Sequence, residues 1–94
     1  MYYSLDMKYE VRMSGKFNKV IRQMLSNARE TLYRLINDIK ASGPVQPGYH
    51  NYSKLGENTY HCHLAYRWVA CWRNEKGKLI VEVEYVGSRE KAPY

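Results

Sequence analysis

The order of hydrophobic periods along the chain predicts an α+β fold, with two helices packed against a small, mostly antiparallel sheet. One run alternates like a strand, two apolar stripes at helical spacing follow, and three strand-like runs come last, the final pair joined by a short Gly-containing turn. At 94 residues the expectation is a single domain, 1–94, with one small core that needs no disulfide or metal to fold.

The elements follow in order. KYEVRM, residues 8–13, places Tyr9, Val11 and Met13 on one face of a half-buried strand. Ser14 can cap a helix in which Phe17, Val20, Ile21, Met24 and Leu25 form the apolar stripe, with Lys16, Lys19 and Arg22 outside it. Asn27 and Glu30 form a plausible capping box for a second helix, whose stripe is Ala28, Leu32, Leu35, Ile36 and Ile39 and which Gly43 and Pro44 end. These helices should pair as an antiparallel hairpin whose joint apolar face a sheet must cover. Residues 42–58 hold three glycines and two prolines without a period and read as a long surface loop. Loops of this length are uncommon unless they are functional. TYHCHLA, RWVACWR and KLIVEVEYV then supply strands, with NEKG turning the last two into an antiparallel pair. In the final run Leu79, Val81, Val83 and Tyr85 should face the core, and Glu82 and Glu84 the solvent.

Composition narrows the partners. Fifteen Lys and Arg against nine Asp and Glu leave a net charge of +6, a balance suited to polyanions or to an acidic protein. No apolar run approaches the ~18 residues of a membrane span, and MYYSLDMKYE lacks the features of a signal peptide, so a cytoplasmic protein is expected. Cys62 and Cys71 are then expected as reduced, buried thiols.

The segment YHCHLAYRW, residues 60–68, concentrates the chemistry. Alternation along a strand puts His61 and His63 on one face about 7 Å apart and turns Cys62 to the other. Metal ligation, acid–base chemistry and a bland pair of outward-facing polar residues are all readings of such a pair. Zinc would require one or two more ligands, and His50 is the only other histidine. The acid–base reading gains from neighbouring cations: Lys54 before the strand, Arg67 at the start of the next, and Arg89 and Lys91 after the last. Such a face would attract phosphate. Histidine exchanges protons near neutrality, and guanidinium suits a phosphate that gains charge in a transition state, which are the needs of RNA cleavage by a 2′-hydroxyl. Ten tyrosines, Tyr60 and Tyr94 among them, add rings that can pack in the core or stack on bases.

The βααβββ order, the YSKL stretch at residues 52–55, the YHCHL and RWVACW strands and above all the ending YVGSREKAPY resemble the RelE and ParE superfamily of bacterial type II toxin–antitoxin toxins, most closely its RelE-like translational repressors. The resemblance runs from Lys8 to Tyr94. It implies a RelE-like fold, a ribosome-dependent mRNA endoribonuclease that needs no cofactor or metal, and a cognate antitoxin with which the toxin forms a hetero-oligomer. Carried over by position, it makes Arg67 and Arg89 the phosphate-binding arginines, Tyr94 the C-terminal tyrosine that stacks on a base and is an alternative to a histidine for taking the 2′-hydroxyl proton, and His61 and His63 the two alternating basic residues of the second strand. Lysines occupy those two positions in the best-known members and histidines in others. Lys54, Tyr60 and Lys91 are the expected further RNA contacts. A ParE-like gyrase inhibitor of the same fold, and a non-catalytic nucleic-acid or protein-binding module, are the alternatives.

Overall fold

The computed structural model describes residues 8–94. A short strand β1, Glu10–Met13, leads through a 3₁₀ turn, Gly15–Phe17, into helix α1, Asn18–Gln23, and helix α2, Ser26–Ser42. Strands β2 (Ser53–Lys54), β3 (Thr59–Ala65), β4 (Trp68–Asn74) and β5 (Ile80–Ser88) follow, and a second 3₁₀ turn, Arg89–Lys91, begins the tail. The sheet order is β1-β5-β4-β3-β2; β1 runs parallel to β5 and every other pair is antiparallel.

Local chemistry sets the helix boundaries. The Ser14 side chain accepts from the Lys16 backbone N–H and starts the 3₁₀ turn that feeds α1. α2 does not use the Asn27–Glu30 box: it begins two residues earlier than that box would start it, at Ser26, behind an extended Leu25 with no side-chain cap. The junction is held by Arg29, whose guanidinium donates to the carbonyls of Ile21 and Met24 and so satisfies the open end of α1. Gly43 closes α2 at φ 99°, a conformation that favours glycine.

The helices cover one face of the sheet only. Phe17, Ile21, Met24, Ala28, Leu32, Leu35 and Ile39 meet Tyr60, Cys62 and Leu64 of β3, Trp68, Ala70 and Trp72 of β4, and Val81, Val83 and Val86 of β5 in one hydrophobic cluster. Each buried Leu of this kind contributes about 2 kcal/mol through the apolar area it removes from water. Trp72 also donates its indole N–H to the Pro44 carbonyl at 2.9 Å, which ties the loop after α2 to the sheet. No described helix is long and apolar enough to cross a membrane.

Two sequence expectations change here. The register of β4 on β5 shifts between Cys71 and Trp72, where Cys71 pairs with Tyr85 and Trp72 with Val83, so Glu84 is the extra residue of a bulge. Beyond the bulge Val86 rather than Tyr85 joins the core, and Leu79 lies exposed outside the strand. The expected 42–58 loop contains β2, whose two residues pair with Tyr60 and His61.

Gly43 is the backbone position most sensitive to change: a Cβ there would stand 2.9 Å from the Tyr9 ring. Gly43→Ala is expected to cost about 2 kcal/mol by combining positive-φ strain with this clash, measured as the shift in urea unfolding midpoint at constant slope.

Candidate active site

The uncovered face of the sheet holds the site. Because directly opposed residues of an antiparallel pair share a face, the pairs Ser53–His61, His61–Cys71 and His63–Val69 line up Ser53, His61, His63, Cys71 and Val69 opposite the core. The chain returns over this floor at its end. Tyr94 lays its ring 4.4 Å from that of His61, centroid to centroid, and His61 is left only 8% exposed.

The two histidines are held in similar ways. Ser53 Oγ lies 2.9 Å from His61 Nδ1, and Asn51 Nδ2 lies 3.3 Å from His63 Nδ1. Occupying Nδ1 leaves Nε2 of each ring for proton exchange with a ligand. The rings are 5.9 Å apart, and His50 stands 5.9 Å from His63 on its other side, so the three imidazoles form a row. The His50 carbonyl accepts from the His63 N–H at 2.8 Å, which pins the loop to the β3 edge beyond the end of β2. Asn51 sits at φ 52°, a conformation that asparagine tolerates better than most residues, and this turn points the loop side chains back at the strand. Among the described residues no group of three or more His, Cys, Asp or Glu side chains is arranged to hold a metal ion.

Electrostatics tune these groups. Burial lowers the pKa of His61 below the ordinary imidazole value, partly offset by the Ser53 backbone. His63 is lowered first by burial and then by the charges of His61, Arg89 and His50. Burial raises the Tyr94 hydroxyl, against which the Arg89 charge acts. Arg89 therefore lies within electrostatic reach of both His63 and Tyr94. Elsewhere on this face the cations are spent on carboxylates: Arg12 pairs with Glu10 at 2.8 Å, and Arg73 with Glu84 at 2.7 Å. Among the described residues Arg89 takes part in no salt bridge.

The structure brings together His61, His63, Arg89 and Tyr94 of the residues the sequence singled out. It separates the others. Arg67 is joined to Arg89 through the backbone, its carbonyl accepting from the Arg89 N–H at 2.6 Å, but its guanidinium turns over the Trp68 ring at 5.1 Å and lines a hollow with Val20 and Gln23 of α1. Lys91 lines that same hollow. Lys54 follows Ser53 and therefore points to the opposite face, where its ammonium lies 5.9 Å from the Tyr60 ring. Tyr60 is 6% exposed and stacks between Tyr52 and Trp72, which makes it a core residue rather than a platform for a base. Cys62 and Cys71 are buried free thiols pushed up to about 12, mainly by burial, and are unreactive at neutral pH. His50, which the sequence offered only as a further zinc ligand, and Asn51 and Ser53 also lie in the site. The sequence signals for the last two were the length of the loop and, for Ser53, the YSKL stretch.

No protein-family model matches the chain, and no curated protein sequence matches it. Solved structures do. The archaeal RelE–RelB complex from Pyrococcus horikoshii contains a chain that superposes with a TM-score of 0.70 at 9% identity, over 92% of this chain and 100% of that one. A mutant of Escherichia coli toxin RelE in the free state gives 0.66 at 20% identity, over 92% and 88%. The YoeB dimer from Staphylococcus aureus gives 0.65 at 12% identity, over 85% and 95%. The chain has the RelE fold. That α+β fold is the one expected from the order of periods and from the resemblance, and the RelE-like sheet leaves bare the face on which the histidine row lies.

A stability consequence follows from the lowered histidines. The unfolded chain binds protons near pH 6.5 and the folded chain only at lower pH, so the stabilisation is present above about pH 6.5 and is lost as pH falls through the folded-state values. The thermal midpoint is expected to drop between about pH 7.5 and pH 5, and to drop less in a His61→Gln, His63→Gln double variant; an unchanged drop would assign it to other groups.

Proposed function

We propose that this protein is the toxin of a type II toxin–antitoxin pair and acts as a ribosome-dependent mRNA endoribonuclease that needs no metal. The observation that supports this best is the juxtaposition, on the sheet face opposite the helices, of two proton-exchanging imidazoles, an Arg89 that forms no salt bridge among the described residues, and a half-exposed C-terminal Tyr94. The RelE–RelB complex among its structural neighbours supports an antitoxin partner. The surplus of positive charge suits an acidic antitoxin segment that folds on binding.

In this reading one histidine takes the proton from the 2′-hydroxyl, the 2′-oxygen attacks the adjoining phosphorus, and the 5′-oxygen leaves with a proton from the other histidine. The products are a 2′,3′-cyclic phosphate and a 5′-hydroxyl. Arg89 holds the phosphate as it gains charge. Tyr94 is a poor base with its hydroxyl raised; its ring offers a base a stacking surface and shields His61 from water. Ser53 and Asn51 fix the imidazole orientations.

His61→Ala, His63→Ala and Arg89→Ala are each expected to lower cleavage of a translated message by about 10²-fold or more, while Arg67→Ala loses less than Arg89→Ala. Primer extension during induced expression measures this, with a gyrase supercoiling assay alongside. Growth arrest with intact messages and impaired gyrase would instead support the ParE-like alternative.

The rate needs one neutral and one protonated histidine, and both pKa values lie below the ordinary one. The product of the two populations therefore peaks below about pH 6.5 and falls as pH rises, because the acid partner is lost first. The kcat/KM profile on programmed ribosomes is expected to decline from about pH 6 to pH 8; a plateau across that range would contradict the assignment of a histidine as the acid.

A further inference from the structure

Beside the histidine row, a second hollow of about 520 Å³ opens between α2 and the loop that follows it, lined by Thr31, Arg34, Asp38, Tyr49, His50 and His63. His63 belongs to both the hollow and the open face, so the two form one continuous surface around the edge of β3. Their charges differ. The open face carries the Arg89 charge, whereas the hollow sets the Arg34 guanidinium and the Asp38 carboxylate on either side of the Tyr49 hydroxyl. That hydroxyl donates to Asp38 Oδ2 and accepts from Arg34 Nε at 3.4 Å. Burial and the bond to Asp38 push the Tyr49 hydroxyl up to about 12, so it remains a neutral bridge at working pH.

A near-neutral hollow that offers both donors and acceptors beside a cationic face does not suit a phosphate. It suits the uncharged part of the same polymer. We propose that the hollow is a nucleobase subsite that receives the base next to the cleaved bond, with the scissile phosphate on the open face. Arg34 donates to an acceptor on the base edge, Asp38 accepts from an exocyclic or ring N–H, and the exposed His50 ring supplies a stacking surface at the entrance. Single-stranded RNA is recognised in this way, by stacking together with hydrogen bonds to splayed base edges. The subsite rests on the ribonuclease reading and adds to it a source of sequence preference. Arg34 is exposed, so its replacement leaves the core untouched. An asparagine at position 38 keeps an acceptor for Tyr49 while removing the charge.

The test is NMR titration of the full chain with 2′-deoxy oligonucleotides, which lack the attacking hydroxyl, following the imidazole signals of His50, His61 and His63. A dinucleotide is compared with trinucleotides extended by each of the four bases at either end. Extension at one end is expected to tighten binding by an amount that varies about five- to tenfold with the added base, the worth of one or two base-edge hydrogen bonds. Arg34→Gln and Asp38→Asn are expected to flatten that spread while leaving the dinucleotide affinity unchanged. Imidazole shifts with no base-dependent gain at either end, or a spread that survives both substitutions, would overturn the subsite alone. Oligonucleotides that leave His50, His61 and His63 unmoved would overturn the subsite, whereas the ribonuclease reading on which it rests falls only if translated messages stay intact in the primer-extension assay.

Discussion

Everything in this molecule depends on β3 serving two surfaces at once. Side chains alternate along a strand, so Tyr60, Cys62 and Leu64 anchor the sheet to the helices while His61 and His63 are delivered to the opposite face at a fixed separation. The helices cover one side of the sheet, and the core that results is rigid because its large members, Trp72, Leu32 and Leu35, are fully buried. A one-residue slip of β3 would drive two imidazoles into that core and the side chains of Tyr60, Cys62 and Leu64 out of it. The cost of such a slip is what makes the spacing of the histidines reliable. The site is thus built on a strand that the core holds in register, and only its accessory groups come from loops.

Electrostatic sorting gives the open face a direction. Towards β1 and β5, Arg12 and Arg73 are engaged by Glu10 and Glu84, partially exposed pairs that add little to stability but leave this end of the face without net attraction for an anion. Towards β2 and β3, the His61 ring lies against those of His63 and Tyr94, the Arg89 charge acts on His63 and Tyr94, and among the described residues no carboxylate pairs with any of them. The bulge at Glu84 is part of this division, since the extra residue turns the glutamate towards Arg73 and sends Val86 into the core.

The sequence made the helical stripes, the alternation in β3, the β4–β5 hairpin and the burial of both cysteines legible, because each is a local pattern with a strong hydrophobic penalty for error. Long-range features were not legible in the residues themselves. The parallel pairing of β1 with β5 joins the first and last strands, and no local period reports it. Assigning Lys54 to the site failed because its facing depends on β2, a two-residue strand too short to show alternation; Ser53 faces His61 instead. Tyr60 failed for the complementary reason: adjacency to His61 in sequence means opposition across the sheet. Arg67 is a backbone neighbour of Arg89, yet its side chain takes the Trp68 ring, a contact between consecutive residues that alternation cannot foretell. The start of α2 lies ahead of the Asn27–Glu30 box, behind an extended Leu25 that has no side-chain cap, so no local capping signal marked it.

In the proposed function the open face cuts RNA through the substrate's own 2′-hydroxyl. The most direct measurement is the chemistry of the ends left on a message translated in the presence of the purified protein. A 2′,3′-cyclic phosphate upstream and a 5′-hydroxyl downstream of the cut are expected, with neither formed by the His61→Ala variant. A 5′-phosphate on the downstream fragment would contradict this route, because that end requires attack by an outside nucleophile and expulsion of the 3′-oxygen.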